Sequence, residues 1–131
     1  FLMICLALLT ISLFASTGYS ETVTAAVSED GVQKVEILAG SYFFKPDHIV
    51  VRVNIPVEIS IKKEWGLIPH TFEVHEPGLG LDVKESLSTE PKVIRFTPRK
   101  TGTYEFYCGN KFLFFESHRA KGMKGVIEVV E

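Results

Sequence analysis

Seven short runs rich in β-branched and aromatic residues constrain the fold of this chain more than any other feature. They are Val32–Ala39, His48–Val53, Pro56–Ile61, His70–His75, Lys92–Phe96, Thr103–Cys108 and Gly125–Val130. The turn signals KPD, NIP, EPG and TPRKTG punctuate them, and Gly, Pro, Asn and Asp break extended backbone. Strands of this length and spacing predict an all-β sandwich or barrel of about seven to eight strands. With 131 residues the chain has room for one such domain and can bury a single core without disulfides. The segment Gly78–Glu90 lacks a clear period and reads as a connecting loop with room for one helical turn. No internal repeat or low-complexity run interrupts the pattern.

The first twenty residues carry no charged side chain and run apolar from Phe1 to Ala15 before turning small and polar. This reads as the apolar and cleavage regions of a secretory signal peptide, N-terminally incomplete, with cleavage expected after Ser20. The mature domain is then 21–131, exported to a periplasmic or extracellular space. The alternative is an uncleaved membrane anchor, although the apolar run is short for a span. Cys5 begins that run and follows bulky Ile4, which speaks against a lipid attachment site. The net charge of −2 gives no reason to expect nucleic acid as a partner.

Removal of the leader leaves Cys108 as the one cysteine. An unpaired thiol in an oxidising compartment is at risk unless it is occupied, and metal ligation is one occupation. Taken alone, Cys108 reads equally as a buried, inert hydrophobe. The period-two rule places Tyr104, Phe106 and Cys108 on one face of their strand and Thr103, Glu105 and Tyr107 on the other. Cys108 thus shares a face with core aromatics at the point where the strand ends. Tyr104 is either a tyrosine corner, its hydroxyl tied to nearby backbone, or a plain core aromatic.

Downstream of Cys108 come His118 and Met123, and upstream His70 follows Pro69 at a strand start. Singly these are a solvated loop residue, a core filler and a turn residue. Together, one thiolate, two imidazoles and one thioether make the ligand set of a type 1 copper site, trigonal His2Cys with a weak axial Met. Thiolate and thioether favour Cu(I), and imidazoles support Cu(II).

The segments YFFKPDHIVVRVNIPVEISI, IPHTF, TGTYEFYC and HRAKGMKGVIEV resemble those of the cupredoxin family, the plastocyanin and azurin group, over nearly the whole mature region. The His-x4-Met spacing of His118 and Met123 is that of plastocyanin-type loops. The resemblance implies a small Greek-key β-sandwich that binds one copper ion through His70, Cys108, His118 and Met123. It also implies single-electron traffic with a larger redox partner protein rather than catalysis. A monomer is expected.

The chain departs from that pattern in one place. GNKFLFFES, Gly109–Ser117, separates Cys108 from His118, where plastocyanin-like members have only a few residues. Closure of the longer loop costs little, but the amide that donates to the sulfur is left open. Thr71 stands where relatives often carry Asn, and its hydroxyl is placed to brace the Cys108 loop. Phe112, Phe114 and Phe115 either fold over the site or form an extra strand. Lys111, Arg119, Lys121 and Lys124 either rim the site and steer an acidic partner or form a solvated face. One ring edge of His118 is expected at the surface as the electron exit, with His70 buried.

Rival readings fare less well. Multicopper oxidases and copper nitrite reductases need more histidines than His48, His70, His75 and His118 provide. A binuclear copper centre needs two cysteines, and no nucleophile elbow is present. Two alternatives stay open: a module that sequesters or delivers copper, and a site with Glu64 or Glu116 in place of Met123.

Overall fold

A computed structural model of the chain describes residues 20–111 and 115–131. The expected leader, apart from Ser20, and residues 112–114 of the FLFF segment lie outside the described residues. Ten strands form among those described: β1 (Thr22–Thr24), β2 (Gln33–Gly40), β3 (Phe43–Lys45), β4 (His48–Arg52), β5 (Val57–Lys63), β6 (Thr71–Glu76), β7 (Leu81–Ser86), β8 (Lys92–Phe96), β9 (Gly102–Tyr107) and β10 (Lys124–Val130). They build a Greek-key sandwich, a six-stranded sheet in the order β1-β4-β10-β9-β6-β7 facing a four-stranded sheet in the order β3-β2-β5-β8.

Alternation fixes which side chains meet between the sheets. In β2 Gln33, Val35, Ile37 and Ala39 are buried while Lys34 and Glu36 are exposed, and β5 buries Val57, Ile59 and Ile61. Register places Ile59 between Val35 and Ile94, so one apolar row crosses three strands. At one end of the core Phe44, Phe72 and Phe106 pack at centroid separations of 5.2–6.1 Å, within the range where aromatic pairs add to area burial. Phe72 lies just after His70 and Thr71, and Phe106 two residues before Cys108. This aromatic cluster therefore anchors both strands that deliver the candidate ligands.

All seven strands read from the sequence are present, with ends shifted by two residues at most. The segment read as a connecting loop is different. It contains a 3₁₀ turn at Pro77–Leu79, closed by Gly80 in the left-handed region, and then β7, which pairs with β6 along its length. β7 is an edge strand in which Leu81 is buried and Val83 and Glu85 are half-buried, and an edge strand needs little apolar character. Tyr104 is a tyrosine corner: its hydroxyl donates to the Lys100 carbonyl at 2.7 Å.

Candidate metal centre

His70 immediately precedes β6 and Cys108 immediately follows β9, neighbouring strands of one sheet. The chain then returns through the loop that carries His118 and Met123 before entering β10. Backbone hydrogen bonds stitch this loop closed. His118 N–H donates to Asn110 O (2.8 Å), Met123 N–H to His118 O (2.9 Å) and Cys108 N–H to Met123 O (3.1 Å). The Asn110 side-chain amide donates to Pro69 O at 2.9 Å, joining the loop to the Pro-His segment. The described ends of the stretch between Cys108 and His118 are thus tied to each other and to the Pro-His segment through Asn110.

His70 Nδ1 and His118 Nδ1 stand 3.2 Å apart, and Cys108 Sγ lies 3.4 Å from His118 Nδ1. One donor atom from each of the three residues falls within 4.8 Å of the others. Three donors about 2.0–2.3 Å from a shared ion in a trigonal plane would sit roughly 3.5–4 Å from one another. The observed spacing fits such an ion with little adjustment. Met123 is fully buried beside this cluster. Soft sulfur donors combined with two imidazoles suit one copper ion.

Burial sets the electrostatics. His70 is pushed down to about 4 from an ordinary 6.5, first by desolvation, then by the nearby His118 and by Lys63. His118 is lowered as well, by burial and then by Lys121. Both rings are consequently neutral near pH 7, with a lone pair available to a metal. Cys108 Sγ accepts the Thr71 backbone N–H at 3.3 Å, with the Thr71 hydroxyl 3.6 Å away. The sulfur's donor thus comes from the residue after His70, whereas the amide after Cys108, that of Gly109, donates to Glu73 Oε2 at 2.6 Å.

The expected asymmetry between the histidines is not observed. His118 is 6% exposed and His70 4%. Among the described residues Tyr42 lies against His118, its ring meeting it edge-on at 5.0 Å and itself capped by Lys121 Nζ at 4.4 Å. Tyr42 adopts φ 70°, the left-handed region that is uncommon for a residue with a Cβ. Neither Tyr42 nor Glu73 was signalled by the sequence. Tyr42 opens the YFFKPD segment, a pattern that marks a strand pair and not a contact with His118, and Glu73 reads as an ordinary outward residue of an alternating strand.

The other candidates fall outside the cluster. His48 pairs with Glu128 at 2.8 Å and His75 with Asp82. Glu64 and Glu116 are exposed, and no carboxylate joins the cluster among the described residues. Of the basic rim, Arg119 is engaged with Glu105 and lies over Tyr107, while Lys111, Lys121 and Lys124 are exposed.

Fold and donor set together define a β-sandwich metal-binding module with a buried thiolate–imidazole centre at one end. The chain belongs to the cupredoxin-like domain family, whose model matches residues 3–127. No curated protein sequence matches it. Among solved structures, it is similar to the metal-binding domain of the Cu(I)-exporting P-type ATPase CopA of Streptococcus pneumoniae D39, determined with Cu(I). Identity is 33% and the TM-score 0.65, over 87% of this chain and 100% of that one. It shares its fold with a copper-binding protein in the apo form, at 20% identity and a TM-score of 0.60 over 84% and 98% of the two chains. It also shares its fold with reduced auracyanin of Roseiflexus castenholzii, at 19% identity and a TM-score of 0.57 over 75% and 97%.

Proposed function

We propose that the chain is an exported, monomeric copper protein of the type 1 kind that carries single electrons, with His70, Cys108, His118 and Met123 holding the ion. The observation that carries this reading is the preformed cluster of two Nδ1 atoms and one Sγ, already closed by the loop hydrogen bonds. When bound, copper supplies the one-electron couple. The protein's part is rigidity. Neighbouring strands fix His70 and Cys108, the stitched loop fixes His118 and Met123, and Thr71 N–H holds the sulfur. A set that moves little between oxidation states keeps reorganisation small. His70, Cys108, His118 and Met123 are all buried, which limits solvent contact with the ion, and a catalytic role is not part of the reading.

Export is supported by the apolar stretch Phe1–Ala15. For the partner, a cleft of about 680 Å³ lined by Leu67, Phe115, Lys111 and Lys121 opens over His70 and His118. Its exposed lysines suit a redox protein with an acidic docking face.

Copper delivery or storage is the second reading, and two observations favour it. The 33%-identical relative is a domain of a Cu(I) exporter, and Tyr42 covers the histidine that an electron carrier would be expected to expose. The test is to reduce and reoxidise the copper-loaded protein repeatedly beside a Cu(I) chelator. An electron carrier cycles with its copper retained. Loss of Cu(I) to the chelator faster than reoxidation would replace this reading with delivery.

A further inference from the structure

Glu73 is buried, its side chain 8% exposed, on the face of β6 opposite Phe72 and Val74. A carboxylate taken out of water is costly unless it is well partnered. Among the described residues the cation paired with it is Lys84, whose Nζ is 4.0 Å away on a side chain 66% exposed, and an ion pair so open contributes little. Its close partners are instead the Thr71 hydroxyl, donating to Oε2 at 2.7 Å, and the Gly109 N–H, donating to the same oxygen at 2.6 Å. Thr71 follows His70 and Gly109 follows Cys108. One oxygen therefore ties together the backbone beside two of the proposed ligands.

Two other bonds join these segments, Thr71 N–H to Cys108 Sγ and the Asn110 amide to Pro69 O, and Glu73 adds a charged acceptor shared by both. β6 and β9 share a single ladder pairing, Glu73 with Tyr107, so their backbones are not held by a run of hydrogen bonds where His70 and Cys108 emerge. Gly109 completes the cradle, because a Cβ there would collide with Glu73 Oε2. The carboxylate also decides where the Thr71 hydroxyl sends its one proton. With Oε2 at 2.7 Å and Sγ at 3.6 Å, the shorter contact to the carboxylate is the one that takes the proton.

The geometry points to Glu73 as a positioning residue with two effects: it holds the His70 and Cys108 segments at ligand spacing before metal arrives, and it sets a fixed negative charge one hydroxyl away from the thiolate. The second effect rests on the copper reading above. Negative charge there favours Cu(II) over Cu(I), and it keeps the hydroxyl proton off the sulfur.

The test uses Glu73→Gln, which keeps the shape but removes the charge, and Thr71→Val, which removes the hydroxyl but keeps the Gly109 bond. In the metal-free protein, amide exchange at Gly109 should accelerate in Glu73→Gln roughly five- to tenfold, the range expected for exchanging a charged acceptor for a neutral one, and change little in Thr71→Val. In the copper-loaded protein the Cu(II)/Cu(I) equilibrium should shift toward Cu(I) in Glu73→Gln. Exchange in Glu73→Gln that rises equally across the whole sandwich, with an unmoved redox equilibrium, would make Glu73 merely structural and overturn the inference. A wild-type protein that binds no copper would overturn the charge effect together with the copper reading, while Gly109 exchange would still decide the clamp.

Discussion

The metal-free protein should lose stability as the pH falls from about 6.5 toward 4, with His70 as a main carrier of the effect. In the folded chain His70 titrates at about 4 instead of 6.5, because burial denies solvent to the imidazolium and because His118 and Lys63 add positive charge. The folded value is the lower one, so the unfolded chain takes up the proton first and acid pulls the equilibrium toward unfolding. The contribution is complete above pH 6.5, erodes as the pH falls through 6.5 to 4, and is exhausted below that. One pKa unit corresponds to about 1.4 kcal/mol, so the full shift represents about 3 kcal/mol, a large share of the 5–15 kcal/mol typical of a domain. The lowering of His118 acts in the same direction. Urea unfolding of the wild type and His70→Asn at pH 7.5, 5.5 and 4 isolates the effect, since acid titration of carboxylates is common to both. The wild type should lose stability more steeply than the variant between pH 6.5 and 4. Parallel pH profiles would refute the reasoning.

Three further outcomes are expected. Gln33 is fully buried, donates to the Arg52 and Ile55 carbonyls at 3.0 and 3.1 Å and accepts Arg52 N–H at 2.7 Å. Gln33→Leu should therefore cost about 2–4 kcal/mol in urea unfolding, since it strands buried backbone groups. If Met123 is the weak axial donor proposed above, Met123→Leu should keep the thiolate colour and raise the reduction potential, because its loss destabilises Cu(II) more than Cu(I). Lys121→Glu should slow electron transfer to an acidic acceptor at low salt, and the difference from wild type should shrink as salt screens the exposed charges over roughly 8–10 Å; voltammetry and stopped-flow measurements check these two.

The core strands were legible because their chemistry is local. VQKVEILA and PVEISI alternate cleanly, and alternation alone assigns their faces. β7 was not legible, since LDVKES derives its order from pairing with β6 rather than from an apolar face of its own. The candidate ligands could be named from residue type and order, which the metal's preferences dictate. Their surroundings could not. Glu73 is buried by a loop that returns from a different part of the chain, and sequence spacing carries no trace of that approach. The exposure expected for His118 followed from its place in a loop. Tyr42, 76 residues earlier in the numbering, covers it through a tertiary contact that no local pattern announces. Gln33 illustrates the same limit, because a polar residue opening a strand gives no sign that three backbone groups converge on it.

The most direct test of a buried thiolate–imidazole copper centre is the visible spectrum of the Cu(II)-loaded domain, residues 21 to 131, beside that of Cys108→Ser. A Cu(II)–thiolate bond to Cys108 predicts one copper per chain and an intense visible band in the wild type, absent from the variant. A wild type that binds copper without that band, or a variant with the same band, would contradict the account.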